Sequence, residues 1–417
     1  MFKIQSVEIK GFWHSKKITA TFDDEVNIII GRNGTGKTTF MNILQSILSV
    51  DTEGLFENYF ENAHIELKDG SKSRKITVER SEHENFSFPI IKYKISNRNF
   101  ALPLFGPDET RPHSISLRRR TNEDVQAIKE HLAELVSISS LSVYRLGSDI
   151  DPESRDRYAR KSASAVDLRL QNLVNRLTQY QLELSNKARL IAADLQRNVL
   201  VSLLYTSQDQ TLHEIPNHFD ETLERQKLTS AYKQLNVSGN DVSKKIQEHT
   251  TAVAKIVNQF KSGQRDQPID IRALDALRTT QNVVRMSLDA ESKSDEIFKQ
   301  ANLFTEKLKE FATDKKFEFI NGILKVKSPE GISISKLSSG EKQLLILFIE
   351  TLLQREQPYI FLADEPELSL HIAWQRNIIK AIRELNPNAQ VIVATHSPEI
   401  AGPHRNNILD IEDLTNG

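Results

Sequence analysis

Gly31-Arg32-Asn33-Gly34-Thr35-Gly36-Lys37-Thr38-Thr39 is the stretch on which the reading of the whole chain turns. It has the form G-x-x-x-x-G-K-[ST]. Before it, Val26-Asn27-Ile28-Ile29-Ile30 is a short apolar, β-branched run that predicts a buried strand. After it, Phe40-Met41-Asn42-Ile43-Leu44, with Ile47 and Leu48, predicts an amphipathic helix. Strand, glycine-rich loop and helix in that order form a phosphate cradle. The glycines let the backbone wrap closely with its N–H groups pointing inward. The helix N-terminus adds positive partial charge. Arg32, Asn33, Gly34, Thr35, Gly36, Lys37, Thr38 and Thr39 are therefore the candidate triphosphate contacts. Lys37 is expected to reach the β- and γ-phosphates, and the Thr38 hydroxyl to hold Mg²⁺.

At 417 residues, the chain has room for two or three domains, or for one large domain with an insertion. Hydrophobic residues make up 38% and charged residues 27%, which favours long solvated helices somewhere. The net charge of −1 means that any nucleic-acid contact has to come from a local patch. There are no cysteines, so disulfides, thiolate zinc sites and cysteine nucleophiles are excluded. No apolar run approaches the length of a membrane span, and the N-terminal Met1–Ile9 reads as a strand rather than a signal peptide. A soluble, cytoplasmic protein is expected.

Outward from the loop, residues 1–30 read as strand, loop, strand, strand. The loop Gly11–Lys17 holds Phe12, Trp13 and cations; it suits either stacking on a nucleotide or closing a sheet edge. Ala63–Leu67, Arg74–Glu79 and Phe88–Ile95 predict further strands, and Arg98–Arg120 predicts a loop ending in three arginines. Thr121–Asp124 predicts the cap of a helix running to about Val136, followed by a strand over Ile138–Arg145.

From about Pro152 to Phe311 strand signals vanish. Apolar residues recur at alternating steps of four and three: Val166, Leu170, Leu173, Leu177, Tyr180, Leu184. The average is the coiled-coil period. The rhythm returns at Val242, Ile246, His249, Val253, Ile256 and Phe260, and again at Ile297, Ala301, Phe304, Leu308 and Phe311. Breaks fall near Pro216, Gly239 and Gly263–Pro268. A helical arm of several antiparallel segments is expected, with His249 packed on the seam. Its first part, Arg155–Arg176, carries six cations against two anions and offers a weak DNA or acidic-partner signal. Phe317–Ile320, Asn321-Gly322 and Ile323–Val326 then predict a hairpin. The expected division is 1–150, an arm over 151–311, and 312–417.

The second half of the site follows. Leu337-Ser338-Ser339-Gly340-Glu341-Lys342-Gln343 resembles the L-S-G-G-Q signature of ATP-binding-cassette ATPases, in the form found in SMC-like and RecF-like proteins. Tyr359–Ala363 predicts a buried strand ending in Asp364-Glu365, which resembles a Walker B motif. Val391–Ala394 leads into Thr395-His396-Ser397. The resemblance implies an α/β fold, an ABC-ATPase-type P-loop NTPase with a mixed β-sheet interrupted by the helical, coiled-coil arm. Phosphoryl transfer to water needs charge neutralisation and a positioned nucleophile. Asp364 is expected to hold Mg²⁺ with Thr38, Glu365 to act as general base on the attacking water, and His396 to sit near the γ-phosphate. In the family, Ser338, Ser339, Gly340 and Glu341 face the ATP of a second subunit, which implies a head-to-tail dimer closed by ATP. No glutamine follows Ile138–Arg145 where the family would place one.

Glu365-Pro366-Glu367-Leu368-Ser369-Leu370-His371 resembles the OLD-like and RecF-like branch, where this segment crosses the dimer interface. OLD nucleases continue into a Toprim domain; none is expected in this chain after His396. The resemblance is to stand-alone ATPases of anti-phage systems, such as PARIS with its Toprim nuclease, or Septu and retron ATPases with an HNH protein. It implies an ATP-gated sensor and scaffold for a separate nuclease effector, with a phage protein or DNA as further partners. The alternative is a RecF-like or SMC-like DNA-maintenance clamp. A non-hydrolysing assembly protein is disfavoured by the intact Glu365.

Overall fold

The computed structural model describes residues 1–82, 88–105, 114–142, 165–202, 219–261, 271–327, 333–368 and 370–416. Two compact units emerge: Met1–Thr178 with Leu303–Gly417, and Gln179–Asn302.

In the first unit the chain opens with β1 (Lys3–Phe12), β2 (Lys16–Thr21) and β3 (Val26–Ile30), then α1 (Lys37–Ser49) and the short α2 (Thr52–Glu57). Strands β4 (Asn62–Asp69), β5 (Lys72–Ser81), β6 (Ile90–Ile95) and β7 (Arg98–Pro103) follow, then α3 (Ser114–Leu135) and β8 (Ile138–Ser142). The helices α4 (Ala165–Ser202), α5 (Glu221–Gln234), α6 (Asn240–Lys261) and α7 (Ile271–Phe311) come next. The hairpin β9 (Lys316–Ile320) and β10 (Ile323–Lys327) turns on Asn321 and Gly322, both left-handed, as an Asn-Gly hairpin requires. Then come α8 (Ser339–Leu353), β11 (Tyr359–Asp364), α9 (Ile372–Gln375), α10 (Ile378–Leu385) and β12 (Ala389–Ala394). The last elements are α11 (Pro398–Ala401), β13 (Ile408–Asp410), α12 (Ile411–Leu414) and β14 (Thr415–Asn416).

The expected mixture of strand directions is segregated into separate sheets. An antiparallel sheet runs β14-β2-β1-β4-β5-β6-β7, and a parallel one runs β13-β3-β12-β11-β8. Helix α1 buries Phe40, Ile43, Leu44 and Ile47 in a core shared with Ile4, Ile9 and Ile65 of the first sheet and Ile360, Leu362 and Ile392 of the second. Gln390, fully buried on β12, stitches the sheets together. It accepts the Ile4 amide at 2.8 Å and donates to the Ile4 and Asp23 carbonyls at 2.7 and 2.9 Å. The register of β1 against β4 shifts between Ile4 and Ser6, and Gln390 satisfies backbone groups at that irregularity.

The segment Arg98–Arg120, expected as loop, is corrected. Arg98–Pro103 is the edge strand β7, and α3 begins at Ser114 rather than at a Thr121 cap. Leu102 is buried and the hairpin turns at Ser96, whose φ is +53°. Pro103 is tolerated because β7 has one neighbour and needs no second row of bonds. Residues 106–113 of that expected loop lie outside the described residues, as do residues 143–145 of the expected strand.

In the second unit, Leu228 and Ala231 of α5, Ile246 of α6, and Val283 and Val284 of α7 share a core with Val199 of α4. Val253, Val257 and Leu277 form a second cluster. Gly239 separates α5 from α6 as the break predicted, while the Pro216 and Gly263–Pro268 breaks lie outside the described residues. His249 is half-buried, with Nε2 at 3.2 Å from Thr280 Oγ1; burial holds its imidazole below the ordinary histidine range. Among the described residues no helix is long and apolar enough to cross a membrane.

Candidate functional site

Three neighbouring parallel strands, β3, β12 and β11, end at one edge of the parallel sheet. The phosphate loop leaves β3, Thr395-His396 leaves β12, and Asp364-Glu365 leaves β11. Their adjacency follows from pairing: Ala394 lies beside Ile29 on one side and Asp364 on the other. Ligand sites of parallel sheets form at such strand ends.

The loop needs its glycines for different reasons. Gly36, at the N-terminal cap of α1, has φ +100°, and a Cβ there would meet Phe12 Cζ at 2.6 Å and Trp13 Cζ2 at 3.0 Å. Gly34 is also left-handed, at φ +79°, but faces open space. Thr35 Oγ1 donates to the Arg32 carbonyl at 2.8 Å, and Arg32 leans towards Glu412. Lys37 is buried beneath the loop and donates to the Gly31 and Arg32 carbonyls at 2.9 and 3.1 Å. Burial lowers its pKa, and the nearby Glu365, Asp364 and Asp410 oppose that shift. The ammonium is thus poised among loop carbonyls that a phosphate oxygen can replace.

The aromatic loop closes the sheet edge. Phe12 is fully buried and closes the core, while Trp13 is 40% exposed, stacks on Phe12 and carries Lys16 Nζ 5.5 Å above its ring.

Asp364 ends β11 in the buried interior, and Thr38 hydrogen-bonds to its side chain. Burial pushes the Asp364 carboxyl above the usual carboxylate range; the Thr38 bond and Lys37 pull against that, and Glu365 adds to it. Its Oδ1 is buried without a hydrogen-bond partner. An orphaned carboxylate oxygen beside a threonine hydroxyl fits a hard divalent cation. Among the described residues no three His, Cys, Asp or Glu side chains gather as a metal cage. A cation there would take its remaining ligands from water and nucleotide oxygens, the usual habit of Mg²⁺.

Glu365 has φ +48°, a left-handed conformation that is uncommon outside glycine and asparagine and recurs at reactive positions. Its amide donates to the Ala394 carbonyl at 2.8 Å, which locks the turn. Its Oε1 lies 3.7 Å from His396 Nε2. Residues 31 apart in the chain therefore face each other across one strand gap.

Glu367, in the sequence only part of a branch marker, has a place in the site. Its Oε1 accepts from the Thr395 hydroxyl and from the amides of His396 at 2.9 Å and Ser397 at 3.1 Å. The E-P-E spacing is visible in the sequence; which strand end the second carboxylate serves is not. His371 caps α9, its Nδ1 accepting the Ala373 amide at 3.3 Å.

The signature residues stand apart from this cluster. Ser338 caps α8 in a reciprocal capping box with Glu341. Burial pushes the Glu341 carboxyl up, but bonds from Lys315 and Ser338 outweigh burial and hold it below the usual range. Ser338 and Ser339 are exposed while Gly340 is buried. Among the described residues no hydrogen bond or ion pair joins Ser338–Glu341 to the phosphate loop. Gln343, one turn on, donates to the Pro366 carbonyl at 3.4 Å, tying α8 to the segment after β11.

Part of the basic signal at the start of the arm is corrected. Arg169 is paired with Glu350 inside the first unit and is not an exposed DNA contact. Arg155, Arg157, Arg160 and Lys161 lie outside the described residues.

Two relatives, the Retron Ec83 probable ATPase of Escherichia coli and the Retron Vc95 probable ATPase of Vibrio cholerae serotype O1 biovar El Tor, are each 38% identical over 85 residues. Each match spans 18% of this chain and 16% of the relative. A Pyrococcus furiosus Smc head domain with an extended coiled coil, bound to the C-terminal domain of ScpA, aligns over 96% of this chain and 92% of its own at 13% identity. Its TM-score of 0.44 is too low to bear on the site. A family model described as an AAA ATPase domain matches residues 2–401. With that match spanning nearly the whole chain, the protein belongs to the AAA ATPase domain family.

Proposed function

We propose that the chain hydrolyses ATP at composite sites formed between two copies, and that this cycle gates a separate effector in anti-phage defence. The observation that carries the chemical part is the meeting of Lys37, the orphaned Asp364 oxygen, and the Glu365–His396 pair at three adjacent strand ends. Lys37 exchanges its loop carbonyls for β- and γ-phosphate oxygens. Thr38 and Asp364 would hold Mg²⁺, which would supply charge neutralisation on the phosphates. Glu365 orients the attacking water and accepts its proton, and His396 faces the γ-phosphate from the next strand.

The dimer is supported by what the chain keeps apart. Ser338–Gly340 open a long helix, and a helix N-terminus favours an anion. That end has no bond to the phosphate loop of its own chain among the described residues. A second copy placed head to tail brings it to the γ-phosphate. The defence reading draws support from the retron names of the two relatives and from the resemblance to stand-alone OLD-like ATPases. In that reading the effector is a Toprim or HNH nuclease.

Dilution tests the central element. Turnover per molecule is expected to fall as the protein is diluted below the dimer's dissociation constant. A rate per molecule that ignores concentration, in a species that remains monomeric with ATP bound, rejects the composite site. Co-purification with the product of a neighbouring nuclease gene tests the effector separately.

A further inference from the structure

Glu367 stands two residues beyond Glu365, yet its carboxylate serves another strand. A single oxygen gathers three donors, the Thr395 hydroxyl and the amides of His396 and Ser397. Thr395 Oγ1 in turn accepts the Ser397 amide at 2.9 Å, closing a small ring of bonds around the turn after β12. A second tie comes from Gln375 at the end of α9. It accepts the Ser397 hydroxyl at 2.7 Å and donates to the Leu370 carbonyl at 3.0 Å. Both ties originate in the segment that follows β11.

The His396 ring is held quite differently. It is 37% exposed, and among the described residues no hydrogen bond fixes it; the polar group it faces is Glu365 Oε1. Its aim is therefore set by its backbone. That backbone is set by Glu367.

We infer that Glu367 is the positioning residue for His396: its carboxylate fixes the turn so that the imidazole faces Glu365 and the γ-phosphate. The inference rests on the reading of His396 given above. A carboxylate suits the task because charge-assisted bonds are roughly twice as strong as neutral ones. The identity of the acid also matters. Glu367 Oε2 is buried without a partner, so a glutamine would set an amide donor where no acceptor waits. The bonds also make position 367 a relay. Any shift of the segment after β11, which Gln343 of the signature helix touches at Pro366, reaches His396 through Glu367.

A double-mutant cycle on the full chain separates this role from plain support of the fold. Steady-state turnover, ATP affinity and thermal midpoint are measured for Glu367→Gln, His396→Ala and the pair. Glu367→Gln is expected to lower kcat about tenfold, on the scale of a lost charged hydrogen bond, with ATP affinity unchanged. In the His396→Ala background the same change is expected to cost nothing further. Should Glu367→Gln fail to fold, Thr395→Val removes one donor and leaves the acid; it is expected to give a smaller loss with the same lack of additivity. Additive effects overturn the inference and leave the role of His396 intact. Wild-type turnover in His396→Ala removes that role and the inference with it.

Discussion

Arg169 Nη2 lies 2.6 Å from Glu350 Oε1, with side chains only 20% and 10% exposed. The other Glu350 oxygen accepts the Ser139 hydroxyl at 3.1 Å, and Asp167 pairs with Lys342 at 2.7 Å. The first turns of α4 are thereby joined to the signature helix α8 and to strand β8. Burial pushes the Glu350 carboxyl up, and Arg169 pulls it back. Removing one member leaves the other buried and unpaired. Arg169→Met is expected to cost about 3–5 kcal/mol of unfolding free energy, and Arg169→Met with Glu350→Leu to recover most of it. Urea denaturation checks this; a double variant as unstable as the single one would mean the site needs the charge itself.

The phosphate loop offers a comparison between two glycines. Both are left-handed, but only Gly36 has side chains against its Cα. Gly34→Ala is expected to cost about 1–2 kcal/mol from backbone strain alone. Gly36→Ala adds a collision with Phe12 and is expected to lose more stability and most nucleotide binding. Equal losses in thermal midpoint and ATP affinity would show that the Phe12 contact relaxes freely.

Glu365→Gln keeps the shape of the side chain and removes the proposed base. Turnover is expected to fall by about 10²–10⁴-fold while ATP still binds and holds the dimer closed. Lys37→Ala, which removes the buried ammonium, is expected to abolish nucleotide binding. Calorimetry and size-exclusion chromatography with ATP distinguish the two; normal affinity in Lys37→Ala would place the phosphates elsewhere.

His249 gives the helical unit a dependence on pH. Burial lowers its folded-state pKa, so the unfolded chain takes up a proton first as pH falls. Its contribution is full above the unfolded value of about 6.5 and is lost as pH drops from there towards the folded value. His249→Asn is expected to flatten the decline in thermal midpoint between about pH 7.5 and 5.5. A slope equal to wild type would assign the effect to another group, such as the similarly lowered His404.

Much of this is legible in residue order, because its causes are local. An apolar β-branched run, glycines at left-handed positions and an amphipathic helix specify strand, loop and helix wherever they sit. The same holds for the Asn321-Gly322 hairpin. The segment after Arg98 reads as loop because its prolines and glycine outweigh the alternation of Phe100 and Leu102, which shows only once β6 lies alongside.

The sequence by itself determined that a phosphate loop, an Asp-Glu strand end and a histidine strand end are present, and that a helical insertion divides them. Only the tertiary structure decided that β12 lies between β3 and β11, so that His396 meets Glu365 and Glu367 grips the turn after Thr395. It also decided that Arg169 is spent on Glu350 rather than displayed. The physical reason is the range of the forces. Propensity and capping act within a few residues, whereas strand order and the pairing of buried charges follow from closing one core around α1, which no local stretch of sequence displays.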